Sequence, residues 1–103
     1  MTPVRLSEDA LQDLNEGFLF YEAQEAGLGD YFAACLRSDI EGLKVSAGVH
    51  RAVSGDYRRL LSKVFPYGIF YTLEDGGAVV WAVLDLRGDP AWIREKLKER
   101  PDG

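Results

Sequence analysis

Apolar residues recur at helical spacing through the first half of the chain and run almost unbroken through parts of the second half. Val4–Leu6, an apolar–basic alternation, predicts a short first strand. Ser7 reads as a helix N-cap, and Glu8 and Asp9 behind it suit the positive end of a helix dipole. Leu11, Leu14, Phe18 and Tyr21 then follow at spacings of three and four, a helix stripe that runs out near Ala26. Gly27-Leu28-Gly29 reads as a flexible joint and Asp30 as the cap of a second helix, whose stripe is Phe32, Cys35, Leu36, Ile40 and Leu43. Gly42 weakens that helix, so its end is expected between Gly42 and Gly48. So short a connection makes the two helices an antiparallel hairpin.

The texture changes after Ser54-Gly55-Asp56, a turn cluster. Residues 57–65 are rich in strand formers, with Arg59 and Lys63 on one side of the alternation and Arg58 on the other. Pro66 interrupts, and residues 67–73 make a second strand with aromatic rings on both faces. Glu74-Asp75-Gly76-Gly77 carries the Asp-Gly signal of a tight hairpin turn, and residues 78–84 complete a three-stranded antiparallel meander. Asp89-Pro90 starts a last helix, with Trp92, Ile93 and Leu97 as its apolar stripe and Pro101 as its stop. The order of strand, helical hairpin, meander and helix, without repeats or linkers, predicts one α+β domain over residues 1–103.

A sheet with one wet face alternates apolar and polar residues, and residues 78–84 do not. By simple alternation Val79, Trp81 and Val83 face one way and Ala78, Val80, Ala82 and Leu84 the other. The helical hairpin covers one face only. The second is left to the last helix or to a partner segment, for which Trp81 or Trp92 would be an anchor. With the partner absent, the chain is expected to be poorly soluble or self-associated.

Apolar residues make up 47% of the 103 residues and charged residues 28%, a globular composition. Cys35 is the only cysteine, which excludes an internal disulfide and a cysteine metal cage. The start has no signal-peptide pattern and the longest apolar run is too short to span a bilayer, so a cytoplasmic location with no membrane contact is expected. The net charge of −5 disfavours direct DNA or RNA binding. Residues 48–73 nevertheless hold four bases against one acid. His50, the lone histidine, reads as a surface loop residue, and neither it nor any other grouping suggests a metal site. Ser54 and Ser62 lack a histidine partner, and no glycine-rich phosphate loop is present. No cofactor is expected.

Phe65-Pro66-Tyr67-Gly68-Ile69-Phe70-Tyr71 resembles the FPYxIxY segment of the RelE/ParE toxin superfamily. Gly27-Leu28-Gly29-Asp30-Tyr31-Phe32 between two helices is similar to the GLGDxF joint of the ParE-like branch. Tyr57-Arg58-Arg59-Leu60-Leu61 resembles the basic strand before FPY, and Arg87 with Asp89-Pro90-Ala91-Trp92 resembles the xRxDPxxW ending. The ordered set spans about residues 4 to 93.

This resemblance implies the toxin of a type II toxin–antitoxin system, silenced by a cognate antitoxin, a small DNA-binding protein with a disordered C-terminal tail. RelE-like members cut messenger RNA in the ribosome; ParE-like members poison DNA gyrase. For a nuclease the resemblance offers Arg59, Lys63, Tyr71 and Arg87 as a catalytic set. That set is depleted: Thr72 and Asp85 stand where relatives carry further bases or a histidine, and Trp92 cannot exchange protons. The ParE-like mode needs no catalytic set, which favours gyrase and makes Arg58, Arg59, Lys63, Trp81, Arg87 and Trp92 candidate contacts to target or partner. A ribosome-dependent nuclease is the alternative. A non-toxic relative that only binds a partner, and an unrelated α+β interaction module, are further readings.

Overall fold

The computed structural model describes residues 1–100. The chain runs β1 (Val4–Leu6), α1 (Glu8–Gln24), α2 (Leu28–Glu41), α3 (Leu43–Ser46), β2 (Ala52–Ser54), β3 (Tyr57–Leu61), β4 (Tyr67–Glu74), β5 (Gly77–Asp85) and α4 (Pro90–Glu99). The strands form one sheet in the order β1-β5-β4-β3-β2. β1 lies parallel to β5 and the other neighbours are antiparallel. The α+β architecture, with a short first strand, a helical hairpin, a meander and a last helix, is as the sequence predicts.

Local chemistry starts and stops the elements where expected. The Ser7 side chain accepts from the Ala10 N–H, and the Asp89 side chain accepts from the Ala91 N–H with Pro90 in the first turn of α4. The β4–β5 turn places Asp75 and Gly76 at φ 48° and 78°, the left-handed pair that an Asp-Gly hairpin needs. The Pro101 stop expected from sequence lies outside the described residues.

The α1–α2 corner differs from the expectation. Leu28 and Gly29 belong to α2, and Asp30 lies in its first turn without capping it. The N-cap is Gly27, at φ 91°. The exposed donors of this helix start are met by the Glu22 carboxylate of α1, which accepts from Gly27 N–H at 3.0 Å and Gly29 N–H at 2.9 Å. A Cβ on Gly29 would meet the Phe18 carbonyl oxygen at 2.6 Å. The glycines therefore build a tight, capped corner in place of a flexible joint.

The buried stripe of α1 is also rotated from the expected one. Ala10, Asp13, Gly17 and Tyr21 face the core, while Leu11 is 55% exposed. Gly17 lets α1 come down onto the Phe32 ring of α2. Tyr21, Phe32, Phe65 and Tyr67 close that end of the core, with ring centroids 4.9 to 6.3 Å apart. The hairpin covers the sheet face that presents Tyr67, Ile69, Tyr71, Ala78, Val80 and Val83. α4 covers the other with Leu97 and Ile93, over Tyr57, Phe70, Ala82 and Leu84. Both faces of β4 and β5 are therefore dry, which accounts for their apolar sequence.

Three strand details correct the alternation reading. β2 exists, as a short exposed edge strand ahead of the turn at Gly55 and Asp56. β3 ends at Leu61, so Lys63 lies in the following loop and does not share the strand with Arg59. In β5 the pairing shifts from Tyr71↔Val80 to Phe70↔Ala82, leaving Trp81 as an extra residue in a bulge. The bulge reverses the alternation beyond it, so Val83 joins Ala78 and Val80 on the hairpin face and parts from Val79.

β1 ends at Leu6, and the β5 edge beyond it is completed by side chains. Val83 N–H donates to Asp13 Oδ2 at 2.9 Å, and Trp81 O accepts from Arg100 Nη1 at 3.1 Å. Arg100 Nη2 donates to Asp13 Oδ1 at 3.0 Å, and both side chains are less than a tenth exposed. Burial pushes the Asp13 carboxyl above its usual range, against the opposing pull of Arg100 and the Val83 N–H.

Two variants test this packing. Gly17→Ala would bring a methyl within 2.5 Å of the Phe32 ring, and urea unfolding should show a loss of about 1–3 kcal/mol. Asp13→Ala strands a buried guanidinium and an unpaired N–H, and should cost about 3–5 kcal/mol in the same assay. A change below about 1 kcal/mol in either variant would contradict the packing described.

Candidate functional site

Arg58 and Tyr71 face each other across the β3–β4 ladder. The Arg58 guanidinium does not project free: its Nη1 donates to the Gly48 carbonyl at 3.2 Å and to the His50 carbonyl. The Tyr71 ring is fully buried, at 0% exposure. Its hydroxyl accepts from Gly48 N–H at 3.3 Å and lies 2.6 Å from His50 Nδ1, the two rings edge-on at 89°. His50 is thus half-buried and hydrogen-bonded, a correction to its reading as a surface residue. Its partner lies 21 residues away in sequence, and no local pattern announces that pairing. Burial and the Arg58 charge hold its imidazole below the ordinary histidine value, so it is neutral at pH 7.

Arg59 pairs with Phe70, one register position from Tyr71, and so belongs to the α4 face of the sheet. Lys63 is exposed in the β3–β4 loop, where its N–H and the Ser62 hydroxyl reach the Asp39 carboxylate of α2 at 3.4 and 2.7 Å. Arg87 lies past the end of β5. Its guanidinium grips Asp85 through Nε at 3.1 Å and Nη2 at 2.8 Å, and Nη2 lies 3.4 Å from the Tyr21 hydroxyl. Asp85 is held below its usual range chiefly by that Arg87 hydrogen bond, and Arg87 above its own by Asp85. Tyr67, opposite Asp85 in the ladder, is pushed up to about 12 by burial. Tyr71 lies four positions along β4 from Tyr67, roughly 13 Å at strand spacing.

The four residues offered as a nuclease set therefore occupy the two faces of the sheet, the β3–β4 loop and the turn after β5. Neither tyrosine is placed for proton transfer: Tyr71 is sealed from solvent and Tyr67 holds its proton tightly. Trp81 is half-buried, and its indole N–H donates to Thr72 Oγ1 at 2.9 Å, which in turn donates to Glu74 Oε2 at 2.8 Å. Trp92 is 46% exposed in the first turn of α4, with the Lys96 ammonium 5.6 Å from its ring centroid. It borders a cleft of about 160 Å³ whose other walls include Glu16, Gly17, Tyr67 and Asp85.

A more apolar concavity lies elsewhere. Leu6 of β1, Leu11 and Leu14 of α1, and Ala33 and Ile40 of α2 line a groove of about 360 Å³, with Arg37 and Glu41 beside them. Leu11 stands there because α1 is turned so that Ala10 and Asp13 face the sheet. An apolar stripe read from spacing alone does not distinguish this groove wall from the core, and the site is invisible in the sequence for that reason.

Residues 4–90 match the family described as the ParE toxin of the type II toxin–antitoxin system parDE. The chain belongs to the ParE toxin family. It is therefore the toxin component type of such systems, as the Phe65-Pro66-Tyr67 and Asp89-Pro90-Ala91-Trp92 segments imply. A chain of a solved chromosomal ParDE toxin–antitoxin system from P. aeruginosa has the same fold, with a TM-score of 0.67 and 12% sequence identity. The alignment covers 81% of this chain and 94% of that one. No curated protein matches the sequence. The family match ends at Pro90, so it takes in the groove, the Arg58–Tyr71–His50 cluster and Arg87, and leaves out Trp92 and the rest of α4. No helix among the described residues is long and apolar enough to cross a membrane.

Proposed function

We propose that this ParE-family chain inhibits growth by binding DNA gyrase and trapping it on cleaved DNA, and that a cognate antitoxin in the same cytoplasm silences it. The observation that carries the target is the dispersal of the proton-transfer candidates. Messenger cleavage needs a group to activate the 2′-hydroxyl, cations on the transition-state phosphate and an acid for the leaving oxygen, all within a few ångströms. Here Tyr71 is buried behind His50, Arg58 is committed to backbone carbonyls, Arg87 is paired with Asp85, Arg59 lies on the opposite face of the sheet from Tyr71, and Lys63 stands in the loop after β3. A net charge of −5 further weakens the grip on RNA. Poisoning by protein contact requires none of this chemistry.

For the antitoxin, the groove between β1, α1 and α2 is the favoured seat. It offers an aliphatic floor with one charge of each sign at hand, Arg37 and Glu41, which suits an amphipathic segment laying its apolar side inward. Such a segment, disordered until bound, belongs to a small DNA-binding protein, so the complex would touch DNA through the partner.

Purified chain added to gyrase and plasmid should yield trapped double-strand breaks, while a translating ribosome reaction keeps its messenger intact. Codon-phased messenger cuts with no trapped breaks would overturn the gyrase assignment, and the absence of growth arrest on induction would overturn toxicity itself. For the groove, Leu11→Glu places a carboxylate on its wall at a position that is more than half exposed. Calorimetric titration should show antitoxin binding weakened at least about tenfold, roughly 1.4 kcal/mol. Folding stability should stay within about 0.5 kcal/mol of the parent. Unaltered affinity would remove the groove from the interface.

A further inference from the structure

Residues 47–51, between α3 and β2, have few ties to the body of the protein. Ala47 packs against the core at the start of the segment. Beyond it, apart from the backbone bonds Ala47 N–H to Leu43 O and Val49 N–H to Ser46 O, the hydrogen bonds converge on two side chains of the sheet. Tyr71 Oη takes the Gly48 N–H and meets His50 Nδ1, while Arg58 Nη1 reaches the carbonyls of Gly48 and His50. Gly48 sits at φ 100°, so the backbone turns here through a conformation that only these ties fix.

The hydrogen-bond inventory assigns the histidine tautomer. The buried Tyr71 hydroxyl already accepts from Gly48, and its own proton needs an acceptor. Among the described residues His50 Nδ1 is the one within reach, so Nδ1 is the bare nitrogen and Nε2 carries the hydrogen. Protonating His50 turns Nδ1 into a donor facing another donor. The Tyr71 hydroxyl hydrogen then has no partner in a buried site, a costly arrangement.

The surroundings offer the imidazolium no relief. From β3 it faces the Arg58 guanidinium, from β4 the Tyr71 phenol, and on its own segment the exposed Arg51. The Lys44 ammonium of the adjoining α3 is paired with Glu41 at 2.7 Å. No carboxylate among the described residues is hydrogen-bonded or ion-paired to His50.

We propose that residues 47–51 form an acid-releasable latch, in which protonation of His50 detaches the segment from Tyr71 and loosens the β2 edge of the sheet. The latched state holds His50 neutral, so the unlatched chain takes up the proton first. The stabilisation is full above the ordinary value of 6.5 and is lost as the pH falls from 6.5 through the lower value of the latched state.

Amide hydrogen exchange of the full chain by NMR, corrected for intrinsic rates between pH 8 and pH 5, reads the latch directly. Protection of the Gly48 amide should fall at least tenfold as His50 titrates, with a midpoint below 6.5. The amides of Ile69 and Leu84, in β4 and β5, should keep theirs. His50→Asn places an untitratable amide oxygen near the Nδ1 position and should keep Gly48 protected down to pH 5. Tyr71→Phe should leave Gly48 unprotected at every pH. Gly48 protection that is flat through the His50 titration, or that falls alike in the parent and in His50→Asn, would overturn the latch. The His50→Asn comparison stands even if Tyr71→Phe does not fold.

Discussion

The buried pair of Asp13 and Arg100 stands where a strand would otherwise be. β1 pairs with β5 only as far as Val80, and from there the chain leaves the sheet to begin α1 at Glu8. The exposed edge of β5 beyond that point would present Trp81 O and Val83 N–H to solvent or to another chain. A carboxylate from α1 takes the N–H and a guanidinium from the end of α4 takes the carbonyl, and the two charges neutralise each other at 3.0 Å. An ion pair this deeply buried adds little net stability over an apolar substitute, because its desolvation offsets the attraction. What it supplies is geometry: three elements from opposite ends of the chain are fixed relative to one another by four atoms.

The bulge at Trp81 belongs to the same arrangement. It turns the Trp81 carbonyl toward Arg100 and reverses the side-chain alternation behind it, so Ala78, Val80 and Val83 all meet the helical hairpin while Ala82 and Leu84 meet α4. Two dry faces on β4 and β5 leave little room for polar chemistry in the middle of the sheet. The bases are pushed to the margins: Arg58 to β3, Lys63 to the loop after it, Arg87 to the turn after β5. The dispersal that argues against a nuclease is a consequence of how the sheet is covered.

Much of this was legible in the sequence wherever the controlling interaction is local. Ser7 and Asp89 each bond within three residues, Asp75-Gly76 takes up the left-handed turn by itself, and their elements begin or turn where those residues stand. The two helices and the three long strands follow from spacing. The missed features all have distant partners. The α1 stripe is rotated because Asp13 is satisfied by Arg100, 87 residues away, and Gly17 by the absence of a side chain under Phe32. A run of unbroken apolar residues hides a bulge, since every register looks equally apolar. β2 is three residues long, two of them exposed, and has no pattern to show. His50 pairs with Tyr71 across a loop and two strands, and so the cluster it completes was seen only in part, as Arg58 and Tyr71.

The same distinction bears on how the toxin fold would meet a partner. The groove walls are rigid for reasons already in place before anything binds: Glu22 caps α2 from α1, Gly29 brings the Phe18 backbone against α2, and Phe32 is locked beneath Gly17. The helices that carry Leu11, Leu14 and Ile40 are thus docked by contacts outside the groove. On the antitoxin reading, the ordering cost of the complex falls almost wholly on the incoming segment, which loses about 1–2 kcal/mol of backbone freedom for each residue it fixes. Affinity then depends on how much apolar area that segment brings and how firmly it is helical or extended beforehand. On that reading, a preformed surface on the toxin and a folding transition on the incoming segment make the complex sensitive to any process that removes the disordered chain. That asymmetry follows from the packing of the helical hairpin and requires no movement of the toxin fold.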